Sequence, residues 1–344
     1  MPVTLKDIAE RSGVSISTVT RVLNDKARQY RISDETSQLV EKTARKLKYR
    51  PNQLARGLRL KKTQTLGLLA PDISNPFFAY ITRRIQNIAA EHNYSIVICN
   101  TNEDQDIEIE QTQLLLSKGI DGFIIMPVGL SFKHLQNIKK EGVPVVLIDR
   151  CFEELPFHSV VIDNYEGAYS AVEHLIEYGH ERIAMIQGLP HTYTNNGRVE
   201  GYLDALHRHK IKSSKNYIVG SDFGKENGYR SAQKLLSLKK PPTAIFLSSD
   251  LIALGALEAI YERDLKIPND LSLVAFDDID FAPFLVSPLT VVSQPKDQLG
   301  EIAVNLLIQQ IKNPKTGKPV TEILKPHLVV RGSVKKIPRH KRNS

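Results

Sequence analysis

From residue 65 onward, short apolar runs alternate with amphipathic stretches of helical period. Such alternation is typical of strands joined by helices, and it predicts a doubly wound, mostly parallel α/β sheet. The alternating region is long enough for two such units, so we expect two α/β lobes. The predicted strands are Thr65–Ala70, Ser95–Cys99, Gly122–Met126, Val143–Ile148, Ser159–Ile162, Ile183–Ile186, Thr243–Leu247 and Leu271–Phe276. The predicted helical stretches include Phe78–Ala90, Ile107–Leu116, Ala168–Ile176 and Ile252–Arg263.

Polar residues stand directly after several of these strands. The segment Asp72–Phe78 reads Asp-Ile-Ser-Asn-Pro-Phe-Phe, and Asp149-Arg150, Ser249-Asp250 and Asp277-Asp278 follow other apolar runs. In open α/β sheets, ligands bind outside the carboxyl ends of the strands. Carboxylates accept hydrogen bonds from hydroxyls, arginine donates them, and aromatic rings cover C–H surface. These strand ends therefore predict a site for a small polyhydroxylated ligand.

Each of these residues also has a simpler structural interpretation. An Asp at a strand end is often a helix cap, and we favour that role for Asp250, which precedes a helical stretch. Asp149-Arg150 is also consistent with a solvated turn. Phe77 is consistent with a core position, and for Phe78 we expect the core.

The N-terminal residues 4–24 predict two short helices joined by a tight turn. Thr4 can cap the first helix, with Asp7 in its first turn, and Gly13 supplies the positive φ that the turn needs. Ser15 can cap the second helix. The expected apolar stripe of the second helix is Val19, Val22 and Leu23.

The opposite face of the second helix is small, polar and carries one arginine. Ser17 and Arg21 point outward, with Ile16 and Thr20 at the flanks. Such a face suits the major groove of DNA, where Arg is the commonest reader of guanine. The alternative is a generic helical hairpin in which Arg21 is only a solvated charge.

The distribution of charge supports DNA binding by the N-terminal region. Residues 1–62 hold 15 Lys+Arg and 6 Asp+Glu, a net charge of +9, whereas the whole chain holds 46 and 38. Residues 63–344 therefore hold 31 and 32 and are almost neutral. Phosphate contacts require such local basicity.

A third helix and a hinge are expected next. Ser33 begins the helix, whose repeating positions are Leu39, Val40, Thr43, Ala44 and Leu47. Between Asn24 and Ser33 lies a polar, basic loop with Lys26, Arg28, Tyr30 and Arg31, which either touches phosphates or is solvated. Pro51 stops the third helix. Asn52 can cap a short helix that is marginal alone and is expected to fold on DNA.

The hairpin and the Tyr-x-Pro-Asn-x-x-Ala-Arg-x-Leu segment resemble the lactose-repressor (LacI/GalR) family of bacterial regulators. The resemblance runs from Val3 to Val334. It implies that Ile16, Ser17 and Arg21 occupy base-reading positions and that Leu58 wedges into the minor groove. The loop before Ser33 is about two residues longer than in many members, a change that loops tolerate. The further implied DNA-contacting residues are Thr4, Ser15, Thr20, Asn24, Tyr49, Asn52 and Ala55.

The same resemblance implies a core like that of the periplasmic ribose-type binding proteins. Ser249 stands where Asn is usual in ribose-type sites, which argues against ribose itself. The Asp149-Arg150 pair favours a pentose or hexose over a purine. The residues expected along one lobe are Asn75, Phe77, Asp149, Arg150 and Gln294. Those expected on the other side are Arg198, Phe223, Ser249 and Asp277.

The sequence thus predicts an all-α helix-turn-helix headpiece followed by two doubly wound lobes of periplasmic-binding-protein type. The headpiece is expected at 1–50, the hinge helix and linker at 51–62, and the core at 63–334. Lobe 1 is expected at about 63–162 and 293–324, and lobe 2 at about 163–292 and 325–334. The crossings between the lobes are placed near Ile162–Asn164, Val291–Gln294 and Leu324–His327. Residues 335–344 form a basic tail that we interpret as solvated and disordered.

Several classes of protein are disfavoured. The two cysteines, Cys99 and Cys151, lack metal spacing and are expected to be buried thiols in a reducing compartment. No apolar signal segment or run of about 18 apolar residues is present, so we expect a cytoplasmic protein that does not enter a membrane. No GxGxxG or Walker loop indicates an enzyme, and neither a metal nor a cofactor is expected.

The preferred hypothesis is a sugar-responsive repressor. As a homodimer it would bind a pseudo-palindromic operator, since a two-fold protein matches a two-fold site. Because Lys335–Ser344 holds only Ile337 as a large aliphatic residue, no C-terminal leucine bundle is expected. The alternative is a global regulator whose main effector is a partner protein or a phosphosugar.

Overall fold

The structure is a computed structural model that describes residues 3–49, 62–152, 154–314 and 318–338. The chain forms two compact units, Met1–Thr63 and Gln64–Ser344. The expected hinge residues Asn52, Ala55 and Leu58 lie outside the described residues.

The described residues of the first unit form three α-helices: α1 (Leu5–Ser12), α2 (Ile16–Val22) and α3 (Asp34–Lys46). The expected caps of these helices are confirmed. Thr4 and Asp7 form a reciprocal capping box, and the Ser15 and Ser33 side chains accept from the backbones of Thr18 and Thr36. Gly13 ends α1 with a φ of 66°, as the turn requires.

The core of this unit is small. Its buried hydrophobic residues are Ile8, Ala9, Val19, Val22, Val40 and Ala44. Leu39, expected among the repeating apolar positions of α3, is instead 47% exposed. Val40 is fully buried, and Leu39, about 100° further round the helix, lies outside the core-facing side.

The second unit is built on two six-stranded sheets within its described residues. The strands in chain order are β1 (Thr65–Ala70), β2 (Ser95–Asn100), β3 (Gly122–Ile125), β4 (Val145–Ile148), β5 (His158–Ile162), β6 (Ile183–Ile186), β7 (Ile218–Val219), β8 (Ala244–Leu247), β9 (Ser272–Phe276), β10 (Thr290–Ser293), β11 (Thr321–Leu324) and β12 (His327–Val329). The first sheet has the order β11-β5-β4-β3-β1-β2, and the second has β12-β10-β9-β8-β6-β7. All eight predicted strands are present, whereas the sequence did not predict β7, β10, β11 and β12 as strands.

Helices pack against both sheets. They are α4 (Pro76–Glu91), α5 (Gln105–Ser117), α6 (Lys133–Lys140), α7 (Asn164–Glu177), α8 (Tyr193–Arg208), α9 (Lys225–Leu236), α10 (Asp250–Tyr261) and α11 (Lys296–Lys312). Short 3₁₀ helices occur at Arg28–Tyr30, Lys215–Tyr217 and Ala282–Phe284. None of the helices described is both long enough and apolar enough to cross a bilayer.

The chain passes between the two sheets at three places. It leaves β5 for α7, which contacts the second sheet, and it leaves β10 for α11, which contacts the first. The third passage joins β11 to β12 through Lys325 and Pro326. β11 is parallel to β5, but β12 is antiparallel to β10. β4 and β9 hold equivalent places in the two sheets. The residues that follow their carboxyl ends, Asp149 and Asp277, lie beside residues of both lobes.

The backbone at the start of the basic tail is ordered, which corrects the interpretation of 335–337 as disordered, whereas Lys335 and Lys336 are exposed, as expected of a solvated segment. The Lys335 amide donates to Ser272 Oγ at 3.0 Å, and the Ile337 amide donates to the Tyr178 carbonyl at 2.8 Å. These backbone bonds tie the segment to the second lobe, a long-range contact that charge alone does not reveal. Arg339, Lys341 and Arg342 lie outside the described residues.

Candidate functional site

Helix α2 presents an exposed face that is free of the core. Ser17 and Arg21 are exposed one helical turn apart, and Ile16 is 48% exposed. The Arg21 guanidinium carbon lies 4.0 Å from the centroid of the Tyr30 ring, in the loop before α3. A helix of this kind, with one outward arginine, can place base-reading groups in a major groove.

The other expected DNA-contacting residues of this unit are partly engaged in local structure. Thr20 Oγ1 donates to the Ile16 carbonyl at 2.8 Å, and Asn24 Nδ2 donates to the Thr20 carbonyl at 2.6 Å. Thr4 and Ser15 cap helices, and Tyr49 is half-buried against the small core, which raises its pKa. Arg21 and Ser17 therefore remain the side chains whose polar groups are turned outward.

A cavity of about 280 Å³ lies between the two lobes of the second unit. It is slightly smaller than the sites of roughly 300–1,000 Å³ that take drug-sized ligands. The structure brings all nine expected ligand residues to its wall: Asn75, Phe77, Asp149, Arg150, Arg198, Phe223, Ser249, Asp277 and Gln294.

Two of these residues, Asp149 and Asp277, end equivalent strands in an unusual backbone conformation. Their φ angles are 67° and 76°, in the left-handed region that non-glycine residues rarely adopt. The Asp149 amide donates to Val160 and the Asp277 amide donates to Val292, each at 2.9 Å. Strain of this kind concentrates at binding sites, where it aims a side chain.

Arginines balance part of the negative charge in the cavity. Arg150 donates to both oxygens of Glu103 at 2.7 Å and lies 3.6 Å from Asp149 Oδ2. Arg198 Nε donates to Asn164 Oδ1 at 2.9 Å, and its Nη1 donates to the Ser248 carbonyl at 2.5 Å. Both guanidiniums are thus fixed by protein groups, and neither forms a loose surface charge.

Three buried carboxylates of the cavity are harder to ionise than ordinary ones. Burial raises the pKa of Asp149 to about 6, although Arg150 and Arg198 oppose this shift. The pKa of Asp250 is also raised to about 6, first by burial and then by the Asp277 carboxylate. Burial likewise raises the pKa of Asp277. A ligand that donates hydrogen bonds would stabilise the ionised forms.

Aromatic rings supply the apolar part of the wall. Phe77 and Phe78 meet edge to face with centroids 5.2 Å apart. Phe78 is buried in the core, as expected, and it also lines the cavity. Phe223 lies so close to Gly188 that a Cβ at that position would overlap its ring. These rings can cover the C–H surface of a small ligand.

The prediction that Asp250 caps a helix is wrong. Ser249 is the N-cap of α10, where its Oγ accepts from the Ile252 amide at 3.3 Å. Asp250 is the first helical residue and is buried in the cavity wall, where Asn75 Nδ2 of the other lobe donates to it at 3.4 Å. Two candidate caps in succession compete, and the sequence does not tell which one takes the role.

The sequence did not single out Thr194, Glu103 and Asp222, which also line the cavity. Thr194 Oγ1 and Gln294 Oε1 are buried without a hydrogen-bond partner among the described residues, so both remain available to a ligand. Gln294 Nε2 donates to Asp277. Only the position of Thr194, four residues before Arg198 on α8, could have suggested it. The additional polar lining residues are Asp72, Glu103, Thr194, Asp222 and Asp250.

A larger cavity of about 620 Å³ adjoins Arg150, Phe132 and Phe152. Its carboxylates, Glu154, Asp163 and Glu200, are exposed or half-buried. Among the residues that the structure describes, no three His, Cys, Asp or Glu side chains are arranged to hold a metal ion. The smaller cavity therefore has the more completely built polar wall.

Comparison with known proteins decides the family. Residues 4–52 match "Bacterial regulatory proteins, lacI family", and residues 63–330 match "Periplasmic binding proteins and sugar binding domain of LacI family". The chain belongs to the LacI family. Catabolite control protein A of Priestia megaterium is 35% identical over 330 residues, which cover 96% of this chain and 98% of that protein.

Solved structures of the LacI family share this fold. The lac repressor dimer bound to operator and the anti-inducer ONPF has a TM-score of 0.86 at 27% identity, covering 97% of this chain and all of that one. A LacI family regulator from Enterococcus faecium with bound ribose has a TM-score of 0.73 at 30% identity, covering 80% and 100%. The expected family and fold class are confirmed: this LacI family member is a transcriptional regulator with a helix-turn-helix DNA-binding unit and two α/β lobes.

Proposed function

We propose that this LacI family regulator is a repressor whose operator affinity is controlled by one neutral pentose or hexose in the cavity of about 280 Å³. The observation that carries the proposal is that residues of both lobes build the wall of this cavity. Asn75 and Asp149 come from one lobe, Arg198 and Asp277 come from the other, and Asn75 donates across to Asp250. A ligand held by both sides stabilises one relative position of the lobes.

The charge of the cavity favours a neutral sugar over a phosphosugar. Its wall holds six carboxylate residues and two arginines, and Arg150 is already bound through both Nη atoms to Glu103. A phosphate would face Asp149, Asp250 and Asp277 without an uncommitted lysine or arginine among the lining residues. Sugar hydroxyls, by contrast, can donate to these carboxylates and to the open acceptor on Gln294.

We also infer that the working form is a homodimer. Each lobe of the described core carries exposed apolar side chains: Val97 and Ile98 on the edge strand β2, and Phe284 and Val286 beyond β9. Phe284 is 84% exposed and Val286 is 98% exposed, values that are costly in a monomer. The dimeric lac repressor on its operator is a precedent at 27% identity. A two-fold dimer would present two reading helices to a pseudo-palindromic operator.

Catalysis is not part of the proposal, and we place the protein in the cytoplasm with its DNA. The relatives are transcriptional regulators.

A melting-temperature screen against free sugars and their phosphates tests the effector. A ligand at 100 times its Kd should add about 2.7 kcal/mol to the free energy of unfolding. Operator affinity, measured by fluorescence anisotropy at fixed salt, should then change with that sugar. Stabilisation by phosphosugars alone would contradict the neutral-sugar assignment, and a sugar that binds without altering operator affinity would contradict the control of repression.

Sedimentation analysis tests the dimer. Phe284→Glu should shift the protein toward monomer and weaken operator binding, because it places a charge in the apolar face. Leu130→Glu, at an exposed apolar residue beside the larger cavity, is the matched control and should remain dimeric. Equal dissociation in both variants would contradict an interface at Phe284.

A further inference from the structure

The loop between α2 and α3 has a defined shape. Asp25 and Arg31 adopt φ angles of 56° and 55°, and a short 3₁₀ helix spans Arg28–Tyr30 between them. The Lys26 amide donates to the Arg21 carbonyl at 2.9 Å, which ties the start of the loop to the end of α2. The loop therefore follows the reading helix closely.

The Tyr30 side chain is not what holds this loop together. The Ile32 amide donates to the Ala27 carbonyl at 3.0 Å, and both residues pack on the small core of the unit. Tyr30 is 46% exposed, and its ring projects away from that core over Arg21. Removing the ring should thus leave the backbone of the loop in place.

The guanidinium carbon of Arg21 lies over the face of the Tyr30 ring. At 4.0 Å from the ring centroid, the cation is attracted by the π system. The ion pairs among this unit's described side chains, Lys6 with Glu10 and Arg45 with Glu41, do not include Arg21. At this distance a guanidinium can stack on the ring, an arrangement that leaves its N–H groups on its edge, where they can reach two acceptors of one guanine.

An unstacked arginine on an exposed helix would sample many rotamers. Ordering such a side chain on binding costs conformational entropy. We propose that Tyr30 is a positioning residue for base reading: its ring holds the Arg21 guanidinium edge-outward and so strengthens the preference for guanine at one operator position. The proposal rests on the proposed reading of the operator by α2.

The experiment starts with the full-length wild type. Selection from random DNA duplexes gives its operator, and Arg21→Ala identifies the base pair whose discrimination depends on Arg21. Discrimination at that pair is then measured by fluorescence anisotropy for Tyr30→Phe and Tyr30→Leu. We expect the Phe variant to match wild type and the Leu variant to lose roughly two- to fivefold, the size of an exposed cation–π contact. Preferences at other operator positions and the salt dependence should be unchanged, since no charge is lost.

A double-mutant cycle separates positioning from other roles. In an Arg21→Ala background, Tyr30→Leu should have no further effect on discrimination. A persisting effect would show that Tyr30 acts independently of Arg21, and full discrimination in the single Leu variant would show that the ring is dispensable; either result overturns the proposal. Thermal melting of each variant checks the folding of the unit. Failure of the wild type to select any sequence would instead refute the reading of DNA by α2 itself.

Discussion

Arginine meets an aromatic ring in both functional regions of this protein, but with opposite exposure. In the DNA-reading unit, Arg21 is exposed and lies 4.0 Å from the Tyr30 ring. In the cavity between the lobes, Arg198 is only 3% exposed and lies 3.7 Å from the Phe276 ring. Both arginines thus lie over an aromatic ring, but among the described residues only Arg198 also donates hydrogen bonds to its own protein.

The difference shows how burial changes the task of one side chain. Arg198 donates to Asn164 and Ser248, and its charge opposes those of Asp149 and Asp277. It is thus part of the fixed wall of the cavity. Arg21 has no such partners in the described unit and keeps its donors for a molecule from outside. A buried arginine organises its own protein, and an exposed one is suited to reading another molecule.

The largest expected effect follows from removing the buried cation. Arg198→Met should lower the free energy of unfolding by about 3–5 kcal/mol at pH 7.5, because two buried carboxylates lose their compensating charge. Part of the loss should return at pH 5, where the Asp149 carboxylate, whose pKa is about 6, becomes neutral. Urea unfolding at the two pH values measures this. Arg230→Met, at an exposed pair with Glu226, is the control and should change stability by less than about 0.5 kcal/mol.

Removing the exposed cation should affect the recognition of DNA and leave the stability of the protein almost unchanged. Arg21→Ala should cost about 1–3 kcal/mol of discrimination at one operator base pair, with little change in the free energy of unfolding. Competition binding with single-base operator variants measures it. Arg45→Ala removes another exposed arginine of the unit, on α3, and should leave base discrimination intact. Similar losses of discrimination in both variants would remove the distinction between a reading arginine and general basicity.

The smallest expected effect is a pH dependence confined to the cavity. Asp149 and Asp250 have pKa values of about 6, raised from 3.8. Their contribution to the stability of the ligand-free protein is therefore complete below pH 3.8 and is lost as the pH rises through about 6. A sugar that donates to the ionised carboxylates should bind more tightly as pH rises from 5 to 7, by at most about tenfold per group over that range.

Calorimetry in two buffers of different ionisation enthalpy should therefore detect proton release on sugar binding near pH 6. Proton uptake, or sugar affinity that falls with rising pH, would show that the ligand prefers the neutral carboxyl groups.

The sequence predicted those parts of the fold whose signal is local. Strands such as β3 and β4 are buried along their whole length, so their apolar runs stand out. The edge strands β7 and β11 have no such apolar run. β7 has only two residues, and β11 is exposed at three of its four positions. The pairing of an edge strand depends on residues that are distant in the sequence, so a short polar segment shows no pattern that would predict it.

The candidate site shows the same limit. Residues at strand ends could be assembled into one cavity because parallel strands present their carboxyl ends together. Asp250 was assigned to a cap because it precedes a helical stretch. Its contact with Asn75 could not be foreseen, because Asn75 is far away in the sequence and lies in the other lobe. Likewise, nothing local in the loop before α3 indicates that Tyr30 stacks on Arg21. Contacts between distant elements, like the pairing of the short strands β7 and β11, were beyond the reach of sequence patterns.

The return of the chain from the second lobe to the first has a consequence for folding during synthesis. β5 at residues 158–162 pairs with β11, which is made only when residues 321–324 emerge. Until then the nascent first lobe carries an open strand edge and lacks the cover of α11. Ribosomal stalling or premature termination within the second lobe would therefore leave an aggregation-prone intermediate, while the small N-terminal unit, complete after α3, would already be able to fold.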